Sequence, residues 1–200
     1  MSVIGHNKGP TMEAGQSWRR HCWGKARRDL LPRMPVEIVR QRVRRAKELG
    51  LDYKTYASVR AASGRDVVAF LFSSNALRLT KPEHVIEEAR AAQLRAIRDC
   101  GRLLLASGPL VPAQTAKRLA RENAVQFDAV HRAPEFTDSW SALRDKVRLA
   151  LAEGEIPAAA VVMVGDTGFE RDWSEAARLG AYLPADRVFG TLALEVGGQK

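Results

Sequence analysis

The chain has 200 residues, of which 46% are hydrophobic, and a formal net charge of +9. That length fits one medium domain, or a small module joined to a modest second one, with enough apolar side chains for a real core. The longest apolar run, residues 158–164, falls far short of the ~20 residues a bilayer-spanning helix needs, and two distant cysteines outside any Cys-x-x-Cys pair argue against a zinc ribbon or a disulfide scaffold.

The first ten residues carry no continuous hydrophobic stretch of the secretory kind, so a cytoplasmic location is expected. Heavy use of Arg and Ala over Lys is the bias of a high-GC bacterial genome. The charge is unevenly placed. Residues 1–60 hold 14 Lys and Arg against 5 Asp and Glu, whereas residues 61–200 hold 18 of each sign. The whole excess lies in the first third, which predicts a polyanionic partner for that third, nucleic acid before any other.

In chain order, residues 1–15 read as a disordered tail. Residues 16–31 read as a basic amphipathic helix with Trp18, Cys22, Ala26 and Leu30 on one stripe. Pro32 and Pro35 end it. A second helix carries Val36, Val39, Val43, Ala46 and Leu49 and stops at Gly50. Asp52 then caps a short third helix with Tyr53, Tyr56 and Val59, ending at Ser63-Gly64. Residues 16–64 are therefore expected to form a basic helical module, and residues 65–200 an α/β domain.

Within the second part, strands are expected at residues 67–72, 103–106, 125–130, 161–164 and 191–196. Helices are expected at 82–100, 113–123, 138–153 and 170–180. Strands separated by helices of this length predict a mainly parallel sheet with helices on its faces. Trp140 and Trp173 fall on apolar helix faces and are expected in the core.

Residues 42–59 resemble a bacterial helix-turn-helix, with the small Ala46 four positions before Gly50 and apolar Leu49, Leu51, Tyr56 and Val59 at the motif's contact positions. The resemblance implies that Lys54, Thr55 and Ser58 face a major groove and that Arg44, Arg45 and Lys47 lie near phosphates. Arg40 and Arg60 complete the basic set. Arg45 departs from the pattern, standing where the motif normally has an aliphatic core residue. The plainer alternative is two helices packed on the α/β body with a solvated arginine face. Aromatic side chains among the arginines also leave a single-strand or RNA role open.

A second candidate lies at residues 161–173, where a hydrophobic strand runs into Gly165-Asp166-Thr167. This looks like the last motif of haloacid dehalogenase-type phosphatases, which implies Asp166 and Asp172 as a pair helping to hold Mg²⁺. The nucleophilic Asp-x-Asp of that family is absent from the chain. The same residues also read as a Thr167-x-x-Glu170 capping box without chemistry. In an open α/β sheet a pocket lies beyond the strands' carboxyl ends, which would bring Ser73, Ser74, Asn75, Asp166 and Thr167 to one crevice. No phosphate-loop, dinucleotide, zinc-protease or nucleophile-elbow motif is present. The favoured expectation is a regulatory nucleic-acid-binding protein. A Mg²⁺-dependent hydrolase or degenerate phosphatase-like protein and a non-catalytic interaction protein of a mobile element are the alternatives.

Overall fold

The computed structural model describes residues 34–190. The expected helix at 16–31 and the expected strand at 191–196 lie outside the described residues, as do Trp18 and Cys22. A compact body begins at Arg40. Met34–Val39 precede it, and Val36 to Val39 form the first turn of helix α1 (Val36–Glu48).

Helix α1 ends in a turn built on Gly50, whose φ of +68° is left-handed backbone that favours glycine. Leu51 N–H closes this turn onto the Ala46 carbonyl at 2.9 Å. Helix α2 (Tyr53–Ser63) follows, capped by Asp52, and ends at Gly64 in the same left-handed conformation. Strand β1 (Ala69–Ser73), helix α3 (Glu88–Ala96), strand β2 (Gly101–Ala106), helix α4 (Pro112–Glu122) and strand β3 (Ala129–Arg132) come next. Helix α5 (Trp140–Ala152), strand β4 (Val161–Gly165), helix α6 (Gly168–Ala177), strand β5 (Ala181–Pro184) and helix α7 (Ala185–Phe189) complete the described chain.

The strands form one sheet in the order β3-β2-β1-β4-β5, and every neighbouring pair is parallel. The fold class is thus α/β, as the alternation of elements predicts. Side chains alternate across the sheet, and both faces are covered. Phe70, Phe72, Leu104, Val162 and Val164 join one core with Leu94 of α3, Leu119 of α4 and Val188 of α7. Leu71, Leu103, Leu105, Val161 and Met163 join a second core with Leu143, Val147 and Leu151 of α5 and Trp173 of α6. Three layers result. Ala46 of α1, Tyr56 and Val59 of α2, and Leu49 and Leu51 of the turn between them belong to the first of these cores, so the helix pair is anchored to the sheet's layer.

Several elements depart from the periodicity. The expected helix at 82–100 is confined to Glu88–Ala96, because the buried Asn123 side chain pairs with the Ile86 backbone, accepting its N–H at 3.1 Å and donating to its carbonyl at 2.7 Å. That pairing replaces helical hydrogen bonds with a strand-like one. The expected strand at 125–130 is displaced to Ala129–Arg132, and Val125 reaches the core from a loop. Trp173 is 2% exposed, as expected, but Trp140 is 54% exposed against expectation: it opens the first turn of α5, and the core members of that helix begin at Leu143. Strand β5 and helix α7 escaped the pattern, being too short for either period to register.

Candidate nucleic-acid interface and the switch-point crevice

Helix α1 carries Arg40, Arg44 and Lys47 at i, i+4 and i+7, a spacing that keeps them on one face over about 10 Å. All three are exposed, as is Lys54 at the start of α2. Among the described residues no hydrogen bond or ion pair engages these four side chains. Ser58 is also exposed, with its hydroxyl donating to the Thr55 carbonyl at 2.8 Å.

Three residues expected on this surface are occupied otherwise. Thr55 is 5% exposed, its side chain turned inward, so it offers nothing to a groove. Arg45 serves the body of the protein: its guanidinium donates to the carbonyls of Val67 at 3.1 Å and Asp99 at 2.9 Å, and ion-pairs with Glu48 at 3.2 Å and Asp66 at 3.3 Å. Arg60 lies 3.8 Å from the same Asp66. Asp66 also accepts the Tyr56 hydroxyl at 2.9 Å. The departure of Arg45 from the motif thus has a structural cause, because a carboxylate and open carbonyls stand where an aliphatic partner would.

The strand order reverses between β1 and β4, and the carboxyl ends of these strands flank the switch point, where ligands bind in open α/β sheets. A cavity of about 510 Å³ opens beside it, at the carboxyl end of β4 and along β5, lined by Asp166, Thr167, Gly168, Arg171, Asp172, Tyr182 and Pro184 and by no residue of β1. Asp166, Thr167 and Asp172 are therefore brought together, but Ser73 and Ser74 are not. Both serines are fully buried, their hydroxyl oxygens accepting the Ala76 N–H at 3.0 Å and the Ser107 N–H at 3.1 Å. They build the turn rather than line a crevice. Asn75 donates to Glu170 at 3.0 Å.

Glu170 is the residue that sequence reasoning saw only as a cap and that organises the whole corner. Fully buried, it accepts the N–H groups of Asp166 at 2.6 Å and Thr167 at 3.0 Å as well as the Asn75 amide, while Thr167 caps α6 in return. Tyr182 donates its hydroxyl to the Thr167 carbonyl at 3.1 Å, and burial beside Glu170 pushes its pKa up. Asp166 faces the Arg78 guanidinium at 3.7 Å. The described residues contain no cluster of three or more His, Cys, Asp or Glu side chains arranged to hold a metal ion. Burial pushes the Cys100 thiol up to about 12, which withholds a thiolate at neutral pH.

Among the described residues no helix is long and apolar enough to cross a membrane. Comparison with known protein families finds no match, and no curated protein is similar to the chain at a significant level.

Proposed function

We propose that the protein binds nucleic acid through the exposed basic face formed by Arg40, Arg44 and Lys47 of α1 with Lys54 of α2, the two helices acting as a helix-turn-helix-like pair in a regulatory bacterial protein of the cytoplasm. The observation that carries this reading is the division of labour among the arginines. Arg45 and Arg60 are spent on Asp66 and backbone carbonyls, while the four other cations remain exposed and unpaired among the described residues. Leaving three like charges in a row on one helix face costs stability unless a polyanion compensates them. With Thr55 buried, phosphate contacts outnumber side chains that could read base edges, so binding is expected to tolerate sequence.

The test is fluorescence anisotropy with a 20-base-pair duplex across a salt series. Four phosphate contacts give a slope of about −3.6 in log K against log salt, roughly a hundredfold loss of affinity between about 50 and 200 mM salt. Charge in residues 1–33 would steepen it. Arg40→Gln with Arg44→Gln should lower the slope by about two. Absence of binding at the lowest salt, or an unchanged slope in the double variant, refutes the reading.

A further inference from the structure

We propose that the groove between α6 and the edge strand β5 is a binding site for a small organic phosphate, whose phosphomonoester group is held by Arg171, Ser174 and Arg178. The groove has a volume of about 360 Å³, with Arg171, Ser174 and Arg178 on its helix side and Leu179, Ala181 and Tyr182 on the other. It adjoins the crevice at Asp166, which shares Arg171 and Tyr182 with it. Positions 171, 174 and 178 stand at i, i+3 and i+7, so they follow one face of α6 and its C-cap.

Ser174 is 5% exposed, yet its hydroxyl has no hydrogen-bond partner among the described residues. A helical serine can return its hydroxyl to a carbonyl of the preceding turn, as Ser58 does to Thr55. Ser174 does not. The neighbouring Trp173 indole nitrogen is also unpartnered but sealed from solvent, whereas the Ser174 oxygen keeps accessible surface and its residue lines the groove. A buried hydroxyl left unpaired costs stability until a ligand pairs with it.

The two arginines are equally uncommitted. Both are exposed, and no ion pair or hydrogen bond engages either guanidinium among the described residues. Glu175 stands four positions after Arg171 and three before Arg178, spacings at which helix ion pairs form, but it pairs with neither. The Arg171 guanidinium lies instead over the Tyr182 ring, 5.1 Å from its centroid, which presents its fork of donors at the groove. Arg178 occupies the left-handed position that ends α6, with φ of +56°, where glycine is the common residue.

Three donor groups match the three free oxygens of a phosphomonoester, and the guanidiniums make charge-assisted bonds to them. A carboxylate would leave one donor idle. Glu175 is the one acidic residue in the lining, so two cations face one carboxylate. The carbonyl end of α6 opposes an anion with only about half an elementary charge. The volume equals that of about twelve waters in the liquid, which leaves room for a ring-sized group resting on Leu179 and Ala181. Asp166 and Asp172 in the adjoining crevice disfavour a longer chain of phosphates.

The site is separate from the basic face on α1, and the experiment tells the two apart. The full chain is titrated calorimetrically with phenyl phosphate, inorganic phosphate and benzoate against sodium chloride at matched ionic strength. Phenyl phosphate should bind saturably, about threefold tighter than inorganic phosphate and about fivefold tighter than benzoate. Arg171→Gln should weaken phenyl phosphate about tenfold and Ser174→Ala about threefold. Arg178→Gly should weaken it about fivefold without lowering the melting temperature, because glycine suits the left-handed backbone, so its loss of binding does not come from misfolding. The Arg40→Gln, Arg44→Gln double variant should bind phenyl phosphate as the wild type does. No saturable binding of phenyl phosphate by the wild type overturns the proposal. So does undiminished binding in Arg171→Gln or Arg178→Gly, benzoate binding as tightly as phenyl phosphate, or loss of phenyl phosphate binding in the α1 double variant.

Discussion

The Arg45 guanidinium works as a bracket between the first helix and the segments that lead into β1 and β2. It joins α1 to the carbonyls of Val67, Arg98 and Asp99 and to the carboxylates of Glu48 and Asp66. Its side chain is 17% exposed, so these contacts are poorly replaced by water. Arg45→Met should keep the packing of the aliphatic stem while stranding the carbonyls and Asp66. The expected loss is about 2–4 kcal/mol, read as a lower urea midpoint with an unchanged slope. Polyanion affinity per folded molecule should hardly move, which distinguishes this arginine from Arg40 and Arg44.

Helix ends decide local order at the next scale up. Asp52 accepts the Thr55 N–H at 3.0 Å, and hydrogen bonding from the Thr55 side chain first, then from the Thr55 backbone, holds its carboxyl below the usual aspartate value. A depressed folded value means stability that is present above the unfolded value and lost as pH falls through the folded one. Asp52→Ala should cost about 1 kcal/mol at pH 7. Asp52→Asn, an equally good cap without the charge, should cost only a few tenths there. The gap between wild type and Asp52→Asn should close below about pH 4, as seen by urea unfolding at stepped pH. At the other junction, the Thr167-Glu170 box was readable because its spacing is local. Its third ligand, Asn75, lies 95 positions away from Glu170 and carried no sequence signal.

The body as a whole is knitted at Gly180, between α6 and β5. Its N–H donates to the Ala158 and Val161 carbonyls at 3.1 and 2.9 Å, and a Cβ there would collide with the Ala159 carbonyl oxygen and sit 3.2 Å from Ser63 at the end of α2. Backbone cannot yield as a flexible side chain would. Gly180→Ala should therefore cost about 2–4 kcal/mol, measured by chemical unfolding. Gly50→Ala meets no atom within 4 Å and bears only the left-handed backbone, about 1 kcal/mol.

Local pattern sufficed for the alternation of strand and helix, the parallel sheet, the caps at Asp52 and Thr167 and the buried positions Ala46, Leu49, Tyr56 and Val59, because each depends on residues within a few positions of one another. It did not suffice for Val36 and Tyr53 of the same stripes, which are exposed. The excess of positive charge before residue 61 was equally plain, being a property of composition. What required the tertiary structure was the fate of each charged group. Asp66 selected Arg45 and Arg60 out of the basic set, and the buried turn withdrew Ser73 and Ser74 from the crevice. Ion pairing and desolvation depend on which distant groups meet and how much water they keep. Neither quantity is carried by spacing along the chain.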